Sequence, residues 1–366
     1  MNISVIPLYQ ADLSQKIFEF KPFYHFAFYL KKYLEDAGHC VATIDLMPIE
    51  KADFVIAFEL NSVDLPNLMR HHNEVRSVYI PLEPPVVSVW HTPDFLKRVA
   101  CFFSCIFTWQ DDLIDQQHFF KMYFPYHDPQ TLPAIIPAAF TQKKMLTMFI
   151  GNKTSSHPDE LYSKRIEMIR FFEQASPEQF EFYGRGFDQN VFESYRGEAE
   201  DKLAVMSQYK FSICFENQNK IRGYITEKIL DCFEAKVIPI YLGADNITDY
   251  VPVKAFIDYR KFSSNEALLE YLEAIQEEEY NDYLSAAAKF LQSPQFEKFT
   301  PQFFARQLAD LIESKQNEPI RKSFPFKRFF FLWALFDKKT PGSYPILKLR
   351  QVKKILQYLR HKTPLF

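Results

Sequence analysis

Short apolar runs alternate with amphipathic stretches through most of this chain. Ile3–Leu8, Val41–Ile44, Phe54–Phe58 and Val78–Leu82 are apolar at nearly every position, the pattern of buried strands. His25–Ala37 repeats its apolar residues at helical spacing and meets a stop at Gly38. Cys101–Thr108 is a further apolar run. A loop carrying Pro125, Pro129, Pro133 and Pro137 follows and is the candidate linker.

A second series then begins. Met145–Ile150, Phe180–Tyr183, Phe211–Phe215, Val237–Leu242 and Phe256–Tyr259 read as strands. Helices are predicted at Pro158–Gln174, Glu200–Tyr209, Tyr224–Phe233, Asn265–Gln292 (with a break) and Pro301–Ser314. Two consecutive strand–helix series predict two parallel-sheet domains facing a cleft. The expected divisions are residues 1–140, 141–300, a closing helix within 301–320, and a tail over 321–366.

Charge changes the picture at that tail. From Arg321 to Phe366 there are twelve Lys/Arg and one acid, Asp337, a net +11, which leaves −14 on the rest of a chain whose total is −3. The segment Ser323–Phe336 interleaves basic and aromatic residues. Leu349, Val352, Ile355, Leu356 and Leu359 then fall on one helical face among lysines and arginines. This suits a helix lying in the plane of an anionic membrane surface; a helix docked on the body or a dimer contact is the other reading. No nucleic-acid motif accompanies the charge, so no nucleic-acid partner is expected. No apolar run is long enough to span a bilayer, and the five cysteines have neither metal spacing nor an even count. The expectation is an enzyme with reduced thiols, cytoplasmic and peripheral on the inner face of the membrane.

With eight glycines the chain has no dinucleotide fingerprint: Gly184-Arg185-Gly186 comes nearest, and Gln189 stands at the third position. It also lacks a P-loop and HExxH, CxxC and DxD patterns. Redox and P-loop chemistry are therefore set aside, and no metal is expected.

The informative stretch is Tyr209 to Pro252. A buried strand ends in Glu216 and Asn217, at the sheet edge where open α/β folds place ligands. Gly223 precedes a helix read as starting near Tyr224, with Tyr224, Glu227, Lys228 and Asp231 on one face. A helix amino terminus and a lysine suit a diphosphate, and a carboxylate suits vicinal hydroxyls. The bland reading is a solvated Glu/Lys face.

The succession FEN, YITEKI and VIPIYLGA resembles the donor-site signature of glycosyltransferase family 10, the α-1,3-fucosyltransferases. The resemblance implies a GT-B fold, two Rossmann-like domains, with inverting transfer from GDP-fucose to a saccharide acceptor and no further cofactor. The host glycan it suggests is an N-acetyllactosamine-like unit, for example on lipopolysaccharide. It implies that Lys228 contacts the diphosphate, Glu227 the ribose, and that Tyr224 and Asn217 line the phosphate and sugar side. Arg165 resembles the arginine that neutralises the diphosphate, with Lys164 its rival; Gly151-Asn152 stands at the family's [ST]N turn with glycine in place of serine. Arg222 lies in a loop that is longer and more charged than the pattern, and Lys202 reads as structural. An inverting transfer needs a general base across the cleft. Glu83, before Pro84-Pro85, is the first candidate and Glu59 the second; Asp111, Asp112 and Asp115 read as loop or cap acids. His71-His72 reads as a solvated pair. Alternatives are a different nucleotide sugar, or a non-catalytic sugar-binding module.

Overall fold

A computed structural model describes residues 1–21, 25–59, 68, 71, 74–128, 131–132 and 134–320. The basic tail, His72, Pro129 and Pro133 lie outside the described residues.

The first half forms β1 (Asn2–Ile6), α1 (His25–Asp36), β2 (Cys40–Thr43), β3 (Phe54–Phe58), β4 (Arg76–Ile80), α2 (Pro93–Val99), β5 (Cys105–Thr108) and β6 (Phe119–Lys121). These six strands make one parallel sheet in the order β2-β1-β3-β4-β5-β6. The second half forms β7 (Lys144–Phe149), α3 (Tyr162–Ala175), β8 (Phe180–Tyr183), α4 (Lys202–Met206), β9 (Tyr209–Phe215), α5 (Glu227–Glu234), β10 (Ile238–Leu242) and β11 (Ile257–Asp258). Its sheet is also parallel, in the order β11-β10-β9-β7-β8. Then come α6 (Asn265–Ala274), α7 (Glu277–Leu291), α8 (Pro294–Glu297) and α9 (Pro301–Lys315). The two parallel sheets facing a cleft are the expected architecture.

Burial explains which runs became strands. Every residue of β3 and of β10 is buried, so only a sheet covered on both faces accommodates them. α9 starts where Thr300 caps it, its hydroxyl accepting the Phe303 N–H, with Pro301 in the first turn. Its Phe304, Leu308 and Ile312 pack with Phe26, Leu30 and Leu34 of α1, so the last helix among the described residues returns to the core of the first sheet.

Several expectations need correction. The Cys101–Thr108 run is not one element: a short 3₁₀ turn, Ala100–Phe102, precedes β5. The helix expected from Pro158 begins at Tyr162, and the one expected over Glu200–Tyr209 is only Lys202–Met206. The break expected in the long helix is borne out and falls at Ile275, whose extended backbone separates α6 from α7. α2 and β6 went unread. The proline-rich crossing from β6 to β7 is pinned: the Tyr126 N–H donates to Phe299 O at 2.7 Å and the Tyr29 hydroxyl to Asp128 at 2.6 Å.

Candidate functional site

Each sheet has one point where strand order reverses, between β1 and β3 in the first and between β7 and β9 in the second. At such points the connections diverge to opposite faces and leave a crevice beyond the strands' carboxyl ends. The two crevices face each other across one cleft of about 870 Å³. Leu8, Tyr9, Glu59 and Glu83 line it from the first half. Phe149, Gly151, Arg165, Tyr183, Lys202, Asn217, Tyr224, Glu227 and Lys228 line it from the second. Glu83, Arg165, Asn217, Tyr224, Glu227 and Lys228, the residues expected as base and at the donor site, therefore line one cavity.

On the second side, β9 runs into Glu216, which is fully buried. Its carboxylate accepts the Thr226 N–H at 2.9 Å and the Thr226 hydroxyl at 2.8 Å, and lies 3.4 Å from Lys228 Nζ. Gly243 makes room for it: a Cβ there would come within 2.5 Å of Glu216 Cγ. Because Glu216 holds Thr226 in an extended conformation as the N-cap, α5 starts at Glu227 and not at Tyr224. Tyr224 is thus not on the helix face. It is buried in the loop against Trp109, ring centroids 4.7 Å apart.

The first turn of α5 opens on the cleft. Lys228 Nζ is 3.0 Å from Thr226 Oγ1 and 3.4 Å from Glu227. Burial opposes its charge, but Glu227 and Glu216 raise its pKa above the ordinary lysine value. Burial pushes the Glu227 carboxyl up, and Lys228 and Lys202 outweigh that, leaving it at about 2. Arg165 is buried on α3, its Nη2 donating to Phe215 O at 2.6 Å and to Asn217 Oδ1 at 3.1 Å. Its Nε is buried without a partner among the described residues. Lys164 instead pairs with Glu167 at 2.6 Å and does not line the cleft.

Two features escaped the sequence reading. Lys202 lines the cleft, held by Asp231 at 2.5 Å, and Tyr126 donates to the other oxygen of that carboxylate at 2.9 Å. Phe149 and Tyr183 stack at 5.0 Å on the cleft wall. The alternation of β7 and β8 could have hinted at that pair; nothing in the sequence signals the Lys202–Asp231 contact. Arg222 turns away from the cleft, towards Asp112 at 3.2 Å and Asp249 at 3.9 Å. Asp111 is no simple cap: Tyr250, Asn246 and Lys121 all donate to its carboxylate, at 2.6, 2.8 and 2.7 Å.

On the first side, Glu83 follows β4 and lines the cleft. Burial, then Glu59, raises its pKa above the ordinary range, against the pull of Lys153, Lys228 and His91. Burial pushes Glu59 up to about 7, against two backbone hydrogen bonds. Among the described residues no group of three or more His, Cys, Asp or Glu could hold a metal ion, and no helix is long and apolar enough to cross a membrane. None of the five cysteines is in a disulfide.

Comparisons with known proteins agree with this layout. Residues 140–324, half of the chain, match the family described as glycosyltransferase family 10 (fucosyltransferase) C-term. An alpha-(1,4)-fucosyltransferase of Arabidopsis thaliana is 36% identical over 81 residues, 22% of this chain and 20% of its own length. The alpha-(1,3)-fucosyltransferase FucT of Helicobacter pylori is 36% identical over 73 residues, 20% of this chain and 15% of its own. The matched stretches thus span a fifth or less of these curated relatives. A crystal structure of an alpha1,3-fucosyltransferase superposes with TM-score 0.58 at 16% identity, covering 89% of this chain and 93% of that one. A DNA-modifying beta-glucosyltransferase gives 0.51 at 13% identity, over 85% and 100%. At these identities the structural likeness speaks for the fold, which is GT-B. The chain belongs to glycosyltransferase family 10, the fucosyltransferases.

Proposed function

We propose that this chain transfers fucose from GDP-fucose to a saccharide hydroxyl, with inversion at the anomeric carbon. The observation that carries the reading is the facing of unlike groups across one cleft. Arg165, Lys202 and Lys228 stand at the carboxyl edge of the second sheet, and Glu83 stands beyond that of the first. A diphosphate has its charge met by the three cations and by the open first turn of α5. Glu227, kept ionised, accepts hydrogen bonds from the ribose hydroxyls, and Asn217 and Tyr224 border the phosphate and sugar.

Glu83 acts as general base. Its raised pKa makes it the stronger proton acceptor. It takes the proton of the acceptor hydroxyl as that oxygen bonds to the anomeric carbon. The bond from that carbon to the diphosphate oxygen breaks on the opposite face, and GDP leaves with the electron pair. Cations fixed where negative charge accumulates lower that barrier. The family resemblance supports N-acetylglucosamine in an N-acetyllactosamine-like unit as acceptor, with an α-1,3 linkage. The +11 charge of residues 321–366 supports attachment to an anionic membrane surface at the cytoplasmic face.

Calorimetric titration with GDP, GDP-fucose, GDP-mannose and UDP-sugars tests the donor. Selective GDP-fucose binding that Lys228→Ala weakens at least ~10-fold is expected; preference for a uridine nucleotide sinks the reading. For the tail, sedimentation with phosphatidylglycerol vesicles should require residues 321–366, and equal binding to phosphatidylcholine vesicles would count against it.

A further inference from the structure

The second candidate acid, Glu59, is occupied in a way that gives it a different task. It follows β3 with φ +47°, a left-handed conformation that a glutamate rarely adopts. That turn directs its side chain sideways, to the exit of the neighbouring strand β4. There Oε1 accepts the Leu82 N–H, in a short hydrogen bond, and the Glu83 N–H at 2.6 Å.

The two carbonyls of the same dipeptide are held as well. The Trp109 indole N–H donates to Leu82 O at 3.0 Å, and His91 Nδ1 lies 2.6 Å from Glu83 O. A carbonyl only accepts, so Nδ1 carries the proton, and Nε2 accepts from the Tyr79 hydroxyl at 2.7 Å. His91 is fully buried, its backbone carbonyl is bound by Gln110 Nε2 at 2.7 Å, and its Nε2 is 3.4 Å from Glu59 Oε2. Side chains therefore bind all four backbone polar groups of Leu82–Glu83, and Pro84, which has no N–H, follows.

We propose that Glu59 is a positioning residue: with His91 and Trp109 it clamps the Leu82–Glu83 backbone so that the Glu83 carboxylate is presented at one fixed place in the cleft. The proposal rests on Glu83 being the base. Glu59 Oε1 is spent on two backbone donors, which fits a clamp and ill suits proton abstraction.

The two acids separate by substitution. A glutamine at 59 keeps a carbonyl oxygen for both N–H groups. Alanine leaves both N–H groups without an acceptor. GDP release from GDP-fucose would be followed with N-acetyllactosamine as acceptor, GDP affinity by calorimetry, and folding by thermal melts. Glu59→Ala is expected to lower kcat ~100-fold, the scale of a roughly 1 Å misplacement, with GDP affinity unchanged. Glu59→Gln should restore most of the rate, and Glu59→Ala combined with Glu83→Gln should be no slower than Glu83→Gln alone. Should Glu59→Ala fail to fold, Glu59→Asp, which withdraws the carboxylate by one methylene, should show the same loss in kcat.

Three results would overturn the clamp: wild-type kcat in Glu59→Ala beside an inactive Glu83→Gln; Glu59→Gln as inactive as Glu59→Ala, which would make Glu59 itself the proton acceptor; or additive losses in the double variant. Failure of the base assignment looks different: Glu83→Gln would then retain turnover, and the clamp would fall with it.

Discussion

Lys228→Met removes a cation and keeps its apolar stem, so it isolates the charge. Nζ lies 3.4 Å from one oxygen of Glu216 and 3.4 Å from one of Glu227. At an effective dielectric near 20, unit charges at this separation attract by about 5 kcal/mol, most of it offset by desolvation. Glu216 is fully buried; it would keep both hydrogen bonds from Thr226 but lose its counter-charge, at a cost of ~3 kcal/mol in stability. Glu227 is 39% exposed, so water screens its share. A lysine–phosphate contact contributes ~1.5–3 kcal/mol, so GDP should bind roughly 10- to 100-fold more weakly. Urea unfolding and calorimetry would read the two effects separately. A GDP Kd that hardly changes while stability falls would refute the donor role and leave Lys228 as a counter-ion for Glu216 alone. The pH dependence gives a second reading. Glu227 titrates at about 2 against an ordinary 4.5. A depressed folded pKa stabilises above the unfolded value, and that stability is lost as pH falls from 4.5 through 2. Without Lys228 that acid-side loss should shrink.

Further outcomes follow from the same geometry. Glu83→Gln should cut kcat by at least ~100-fold with GDP affinity intact. In the wild type the acid limb of kcat/KM should sit above the ordinary carboxyl value of 4.5, since the pKa is raised. Gly243→Ala forces a methyl to within 2.5 Å of Glu216 Cγ and 2.6 Å of the Tyr241 hydroxyl oxygen, and should destabilise by ~1–3 kcal/mol in urea melts. Asp111→Ala strips Lys121, Asn246 and Tyr250 of their shared acceptor and should cost ~3 kcal/mol by the same assay. Burial raises the Asp111 pKa, but Lys121, Tyr250 and Asn246 together outweigh it and leave it below 3.8, so the wild-type contribution is lost as pH falls below that value.

The sequence was most informative where burial on both faces left one choice. Phe54–Phe58 was read to the residue because a parallel strand covered on both sides shows as an unbroken apolar run. Element ends governed by distant partners were not legible. The start of α5 depends on Glu216 seizing Thr226, ten residues away, and no local propensity encodes that. Lys202 passed as structural because its cleft position depends on Asp231, 29 residues on. Glu59 looked like a rival base because a carboxylate directly after the strand Phe54–Phe58 was all the sequence offered. Its left-handed backbone, which turns the carboxylate onto its neighbour's N–H groups, is a property of the fold.

One segment supplies much of the second cleft wall and of the junction between the halves, which is why its pattern carried so much. Tyr209–Pro252 contains Glu216, Asn217, Tyr224, Glu227 and Lys228. It also contains Gly223, at φ +82°, where a Cβ would lie 2.2 Å from Trp109 O and 2.8 Å from Asp111 Cγ. The Gly223 N–H donates to Asn246 Oδ1 at 3.0 Å, and Asn246 and Tyr250 both hold Asp111. Trp109 closes the chain of contacts: Tyr224 packs on its ring, its carbonyl faces Gly223 and accepts from Lys121, and its indole holds the Leu82 carbonyl next to Glu83. The separation between the cations and the proposed base is thus set by close packing around one buried tryptophan. A side chain added at Gly223 would have to push the two walls apart. Transfer chemistry that demands placement within about half an ångström has its register built into the junction, before any substrate arrives.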